Sequence, residues 1–292
     1  MKRNRRDFIK ISGLTGLGMA VMNPMLFSCS ATAKPGMEFG LVTYNWGRDW
    51  DLPTLIRNCE EAGYKAVELR TQNAHGVETS LSASEREEVK KRFADSDVTC
   101  VGYGSNYEYH SPDPEELRRN IEQSKEYVKL CYDIGGTGLK VKPNTLPPDV
   151  SREKTIAQIA TALNEVGAFA RDYNQLIRVE AHGKFTAELP NMKAIFDQVD
   201  QDNVKICWNS NPVDLNPPGL QENFNMVKQW IGDTVHVHTL DKGDYPYGEL
   251  FALLKENDYN GWILLEEGAV PEDPLAAMKE QIAVYNKMVA DL

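Results

Sequence analysis

The 292-residue sequence has no CxxC pair, and its five cysteines show no spacing against histidine that suits a structural zinc site. No GxGxxG follows the first apolar run, so the usual dinucleotide cradle is missing. Beyond the N-terminal segment no apolar stretch is long enough to span a bilayer, which excludes a polytopic membrane protein. Positive charge is scarce: 32 Lys and Arg stand against 43 Asp and Glu, for a net charge of −11. The first 28 residues carry Lys2, Arg3, Arg5, Arg6 and Lys10 against Asp7, so the remainder stands at −15. So acidic a chain lacks the electrostatic footprint of a nucleic-acid binder. What is present is globular: 41% hydrophobic and 26% charged residues, enough for one large core or two small ones.

The N-terminus reads as an address. Residues 1–10 are basic, and residues 11–27 are small and apolar but broken by glycines, Asn23 and Pro24. This is the n-region and h-region of an export signal rather than a spanning helix. Arg5-Arg6-Asp7-Phe8-Ile9-Lys10 resembles the twin-arginine signal, and Leu26-Phe27-Ser28-Cys29 resembles a bacterial lipobox. The expected organisation is a signal peptide over 1–28, a tether over 29–36 and one domain over 37–292. Cleavage before Cys29 would leave it lipidated, giving a periplasmic or membrane-anchored bacterial lipoprotein whose only membrane contact is that anchor. Cys59, Cys100 and Cys207 sit among apolar residues and read as small buried hydrophobes.

The rest of the chain alternates. Short apolar, β-branched runs recur at 39–44, 66–70, 98–103, 138–142, 176–180, 204–208, 235–239 and 262–266. Between them lie segments of helical periodicity with caps. Asp113-Pro114-Glu115-Glu116 opens one that Gly135-Gly136 closes, and Ser151 opens another with apolar residues spaced by three and four. Further helices are expected over 52–62, 82–94, 189–200, 220–231, 247–257 and 272–290. Eight strand–helix units predict a parallel sheet of (β/α)8 TIM-barrel size, with a doubly wound open sheet as the alternative.

Such a barrel carries its site at the C-terminal ends of the strands. All five histidines fall there: His75, His110, His182, His236 and His238. So do Arg70, Lys140, Lys142, Trp208, Asn209, Asn211, Asp241, Glu266 and Glu267. Period-two alternation places Arg178 and Glu180 on one face of their strand and His236 and His238 on one face of theirs. Glu180, His238 and Glu266 are therefore expected to converge near the axis, where two carboxylates and an imidazole suit a divalent cation. Lys142 joins Glu180 and Glu266 as a candidate catalytic group. Arg70, His75, His110, His182, Trp208, Asn211 and His236 are expected on the substrate side.

With these residues in place the chain resembles the sugar phosphate isomerase/epimerase family, the xylose-isomerase-like barrels, over about residues 38–290. The matching pieces are Val67-Glu68-Leu69, Glu180-Ala181-His182-Gly183, His236-Val237-His238 with Asp241, and Tyr259-Asn260-Gly261-Trp262 leading to Glu266. The resemblance implies a divalent metal (Mn, Mg, Co or Zn) held by Glu180, position 209, His238 and Glu266. Position 209 is Asn, and Pro212 stands where the family's Asp-x-x-His places its histidine. A dication there would be held by two carboxylates instead of three, and should bind more weakly or be absent. The resemblance also implies proton movement next to a carbonyl: epimerisation or isomerisation, with a lyase or hydratase as variants of the same enolate chemistry. An exported enzyme would work on a non-phosphorylated sugar, such as a keto-sugar. A non-catalytic, lipid-anchored sugar-binding barrel that has lost its metal is the second reading. A phosphodiesterase like endonuclease IV is a third, opposed by the acidic charge and the shortage of Asp and His ligands.

Overall fold

The computed structural model describes residues 36–292. The expected signal peptide, the lipidated Cys29 and the tether up to residue 35 lie outside the described residues. Within the described chain no helix is long and apolar enough to cross a membrane.

Eight parallel strands close into a barrel. In chain order they are β1 (Glu38–Val42), β2 (Ala66–Arg70), β3 (Thr99–Glu108), β4 (Gly138–Lys142), β6 (Leu176–Glu180), β8 (Val204–Asn209), β9 (Ile231–Val237) and β10 (Trp262–Leu265). Their order around the barrel is β1-β10-β9-β8-β6-β4-β3-β2. A separate pair of two-residue strands, β5 (Asn144–Thr145) and β7 (Gly183–Lys184), sits above β4 and β6. The open-sheet alternative is excluded by the pairing of β1 with both β2 and β10.

Eight helices follow the strands: α1 (Leu52–Ala62), α2 (Ala83–Ala94), α3 (Pro114–Asp133), α4 (Arg152–Arg171), α5 (Leu189–Phe196), α6 (Leu220–Val227), α7 (Tyr247–Glu256) and α8 (Pro274–Ala290). Their starts are chemically marked. Asp51, Ser82, Asp113, Ser151 and Asp273 each accept a backbone N–H of the first turn, which satisfies a donor that has no partner inside the helix. At the end of α1, Gly63 takes φ 83°, the left-handed conformation that glycine adopts without a Cβ penalty.

The strand periodicity divides the apolar residues into two sets. Leu41, Val67, Leu69, Leu139, Val141, Ile177, Val179, Ile263 and Leu265 belong to the large core between barrel and helices. Val42, Ala66, Val101 and Leu264 form a small cluster inside the barrel. The remaining inward positions include glycines such as Gly104 and Gly138 and a set of charged residues. Glu68, Lys140, Arg178 and His236 are all fully buried, and Glu180 nearly so. Buried charges are costly unless paired, so the barrel interior must be a network of ion pairs. At its lower end Arg178 donates to both oxygens of Asp233 at 2.8 Å, to the Val101 carbonyl at 3.0 Å and to Thr137 Oγ1 at 2.7 Å. The four described cysteines, Cys131 included, are free and buried.

Several boundaries differ from the sequence reading. β9 starts at Ile231, four residues early: Ile231 pairs with Ile206, and Gly232 and Asp233, which carry no apolar signal, follow where the register against β8 shifts. β3 runs on to Glu108 through polar residues. α5 stops at Phe196, and α6 gives way to a short 3-10 turn, Lys228–Trp230.

Candidate active site

The polar mouth of the barrel opens into a cavity of about 390 Å³, within the ~300–1,000 Å³ range of small-molecule sites. Arg70, Lys142, Glu180, Asn209, His238 and Glu266 line it, with Tyr44, His182, Asn211, Glu267 and Gly268 at the rim. The lining comes from the ends of β2, β4, β6 and β8 and from the residues that follow β1, β6, β8, β9 and β10. Barrel closure therefore joins positions nearly 200 residues apart.

Glu180 is the most constrained group. Lys140 Nζ donates to its Oε2 at 2.5 Å and Asn209 Nδ2 to its Oε1 at 2.8 Å. Burial opposes its charge, but Lys140 and, more weakly, His236 and Lys142 hold the carboxyl well below the usual range. Glu266 has the same pattern. Arg70 Nη1 lies 3.3 Å from its Oε1, and His236 Nδ1 3.2 Å from its Oε2. Against the cost of burial, His236 and then Lys140 and Arg70 keep Glu266 low. Beneath them His236 Nε2 faces Glu68 Oε1 at 3.4 Å. Burial disfavours a charge on that imidazole, yet the Cys207 sulfur, Glu68 and Glu266 together raise its pKa well above the ordinary value. Lys142 moves the other way: burial and repulsion from Lys140 lower it.

The expected site residues divide into three groups. Glu180, Glu266, Lys142, Arg70, His182, Asn211, Asn209 and His238 face the cavity. His236 lies under it, fully buried. His75, His110 and Trp208 do not line it. His75 joins the Arg70 carbonyl (2.8 Å) to the Val77 amide (3.1 Å) and so pins the loop after β2. His110 faces Glu108 at 3.7 Å. Trp208, fully buried, points outward, donates to the Tyr245 hydroxyl and packs on Phe224, because its neighbour Asn209 takes the inward position. Asp241 and Glu267 serve the loops: Asp241 accepts from Gln281, and Glu267 accepts from Thr239, Gly268 and Ala269.

The histidine nearest the two carboxylates also differs from expectation. Glu180, His236 and Glu266 each offer a ligand atom within 4.8 Å of the others, and by distance could hold a metal ion. His238, one pleat higher, instead turns Nδ1 to the Glu266 carbonyl oxygen at 2.8 Å. Two buried residues complete the site: Lys140, placed by the sequence at a strand end but passed over for Lys142 as the catalytic candidate, and Glu68, which the sequence reading gave no site role. Their signal was present: Glu68/Arg70 and Lys140/Lys142 are charged pairs at period two inside apolar strands.

The loop after β8 carries a titrating group. Asp214 Oδ2 accepts from the Asn211 amide (2.9 Å) and the Tyr245 hydroxyl (2.7 Å), while Oδ1 is buried without a partner. Burial raises its pKa from 3.8 to about 7. The folded chain thus keeps a proton that the unfolded chain releases near 3.8, so this group's stabilising contribution is complete at low pH and is lost as pH rises through about 7. Asp214→Asn is expected to flatten that fall. Urea midpoints of both forms across the interval check it, and parallel pH curves would refute the assignment.

Taken together, the geometry defines a single-domain (β/α)8 barrel with a charged small-molecule site at the C-terminal mouth. The xylose isomerase-like TIM barrel family model matches residues 56–211, more than half of the chain, and the chain belongs to that family. It is 22% identical over 246 residues to an L-ribulose 3-epimerase of Methylomonas sp. (strain DH-1), covering 79% of this chain and 84% of that protein. Its fold is similar to that of a 3-keto-D-glucoside 4-epimerase from E. coli, with TM-score 0.72, 16% identity, 86% of this chain and 99% of the other covered. It is also similar to a D-psicose 3-epimerase from Clostridium cellulolyticum H10 crystallised with D-tagatose, with TM-score 0.72, 15% identity and coverages of 86% and 99%. The IOLI protein, solved with a zinc atom, shares the fold at TM-score 0.69, with 16% identity and coverages of 87% and 97%.

Proposed function

We propose that this chain is a sugar epimerase or isomerase that moves a proton on the carbon next to a carbonyl. The observation that carries this reading is the convergence of Glu180 and Glu266 on one cavity whose other charged walls are Arg70 and Lys142. Abstracting such a proton requires a base, and the oxyanion that forms requires positive charge. One ionised carboxylate can take the proton from one face of the carbon and return it at a neighbouring atom for isomerisation, whereas epimerisation needs the other carboxyl to have taken a proton from solvent in the open cavity before it protonates the opposite face. Lys142 and Arg70 face the developing oxygen charge. Asn209, Asn211, His182 and His238 present amide and imidazole groups suited to sugar hydroxyls. The epimerase names of the sequence relative and of the structural neighbours agree with this reading.

The substrate we infer is a non-phosphorylated keto-sugar or keto-glycoside. Its support is the twin-arginine-like and lipobox-like sequence at residues 5–29, which would put the barrel outside the cytoplasm, where sugar phosphates are scarce. Where the substrate carries a leaving group β to the carbonyl, the same enolate would eliminate it.

Incubating the full chain with a panel of keto-sugars in deuterated water tests the reaction class. Deuterium should appear at the carbon next to the carbonyl of at least one, with its epimer as product. Saturable binding of these sugars without any exchange would instead favour a sugar-binding barrel.

A further inference from the structure

Both carboxylates that could take a metal are already saturated with protein donors. Glu180 receives the Lys140 ammonium on one oxygen and the Asn209 amide on the other. Glu266 receives Arg70 on one and His236 on the other. The carboxylates are also matched by protein cations without an ion. Glu68, Glu180 and Glu266 face Arg70, Lys140 and Lys142, with His236 between them. A dication would add two positive charges to a buried cluster that already carries no excess of negative charge, and would have to displace a fully buried ammonium from the carboxylate it touches.

We propose that Lys140 stands in the place of a divalent cation, so that the chain works as a metal-independent barrel. Lys140 lies below the cavity and touches Glu180 rather than substrate, so it acts as a positioning residue. It keeps the Glu180 carboxylate ionised and aimed upward. Positive charge toward the substrate oxygen then falls to Lys142 and Arg70 on the cavity wall. Asn209 belongs to the same device. Its Nδ2 donates to Glu180 Oε1 at 2.8 Å, a contact that an ionised Asp would turn into carboxylate–carboxylate repulsion unless a cation lay between them. Lys140 and Asn209 are thus matched substitutes: one supplies the charge of an ion, the other removes a charge that only an ion could tolerate. This inference deepens the reading of the site as a proton-transfer centre and rests on it only for the roles of Lys142 and Arg70.

The test is a gain of metal binding. The full chain should purify without stoichiometric Mn, Co, Zn or Mg, and Co²⁺ titration should give no visible ligand-field band. The double variant Lys140→Met/Asn209→Asp frees Glu180 and adds a carboxylate. It should bind Co²⁺ about 100-fold or more tighter, with such a band, because two nearby unit charges have changed in the ion's favour. A stoichiometric dication in the unmodified chain, or a folded double variant that binds Co²⁺ no better, would overturn the proposal. Should the double variant fail to fold by circular dichroism, Lys140→Gln, which keeps a donor toward Glu180, carries the same comparison. The outcome is separable from that of the deuterium experiment. Absent exchange ends the epimerase reading and leaves the metal result standing, whereas exchange by a chain that holds a dication ends this inference alone.

Discussion

Glu180→Gln should lower turnover by about 10²–10⁴-fold, the range that a positioned acid–base group contributes, and should leave the barrel folded. The fold is expected to survive because the amide can be satisfied. Its carbonyl can still accept from Lys140, and its NH₂ can donate to Asn209 Oδ1, which now has no partner. The variant still separates a fully buried ammonium from its nearest anion. Thermal stability should therefore fall, by about 3–5 kcal/mol if no other anion takes over. Glu266 and Glu68 in the same cluster reduce that cost. Exchange of the substrate proton reads the first effect and a melt followed by circular dichroism the second. Undiminished exchange in Glu180→Gln would remove Glu180 from the mechanism. The pH profile adds an independent check. Both carboxyls are held below the ordinary range, Glu180 chiefly by Lys140 and Glu266 chiefly by His236. Both therefore stay ionised as pH falls past the usual carboxylate values, and the acid limb of activity should lie below that range. The stabilisation from these pairs is present above the unfolded-state values and is lost only as pH falls through the lowered ones.

The parts of this molecule that were legible in its sequence are those set by local chemistry. β2, β4 and β6 fall on the expected runs, and α1 on the expected helix, because Asp51 and Gly63 mark its two ends and alternation marks the strands. The convergence of Glu180 and Glu266 was also legible, since inward-facing residues at the tops of closed parallel strands must meet. The depth of each residue along the strand was not. His236 and His238 share a face, and only the stagger of β9 against β8 and β10 decides which lies level with the carboxylates. That stagger includes a register shift between Ile206 and Trp208, which no pattern in the residues announces. The pair β5 and β7 left no trace either. Each strand is two residues long, and their pairing depends on positive φ at Asn144 (68°) and Gly183 (94°). A Cβ at Gly183 would lie 1.8 Å from the Asn144 carbonyl oxygen, so this close approach needs glycine. It fixes the neighbouring His182, which bonds Asn144 Oδ1 at 3.1 Å and faces the cavity.

The largest effect on stability is expected one layer below the site, at Arg178→Met. The guanidinium is fully buried and makes four hydrogen bonds: two to Asp233, one to the Val101 carbonyl and one to Thr137. Its room is provided by Gly138, where a Cβ would lie 2.8 Å from Nη1. Met fills much of the volume but offers no donor, so the Val101 carbonyl, Thr137 and the partly exposed Asp233 carboxylate lose the guanidinium that joins them. Breaking a buried ion pair on one side costs about 3–5 kcal/mol. At about 2–4 °C per kcal/mol for a domain of this size, the melting temperature should drop by roughly 6–20 °C. Arg178→Lys should recover only part of the loss, since one ammonium cannot reproduce the planar fork that grips both Asp233 oxygens. The substrate chemistry is expected to survive in both variants at temperatures where they remain folded, because Arg178 does not line the cavity and Glu180 is held by Lys140 and Asn209. Equal melting temperatures in the parent and Arg178→Met would mean that the lower ion pair does not hold the barrel closed. Loss of exchange in a fully folded Arg178→Met would mean that it helps to set the site above it.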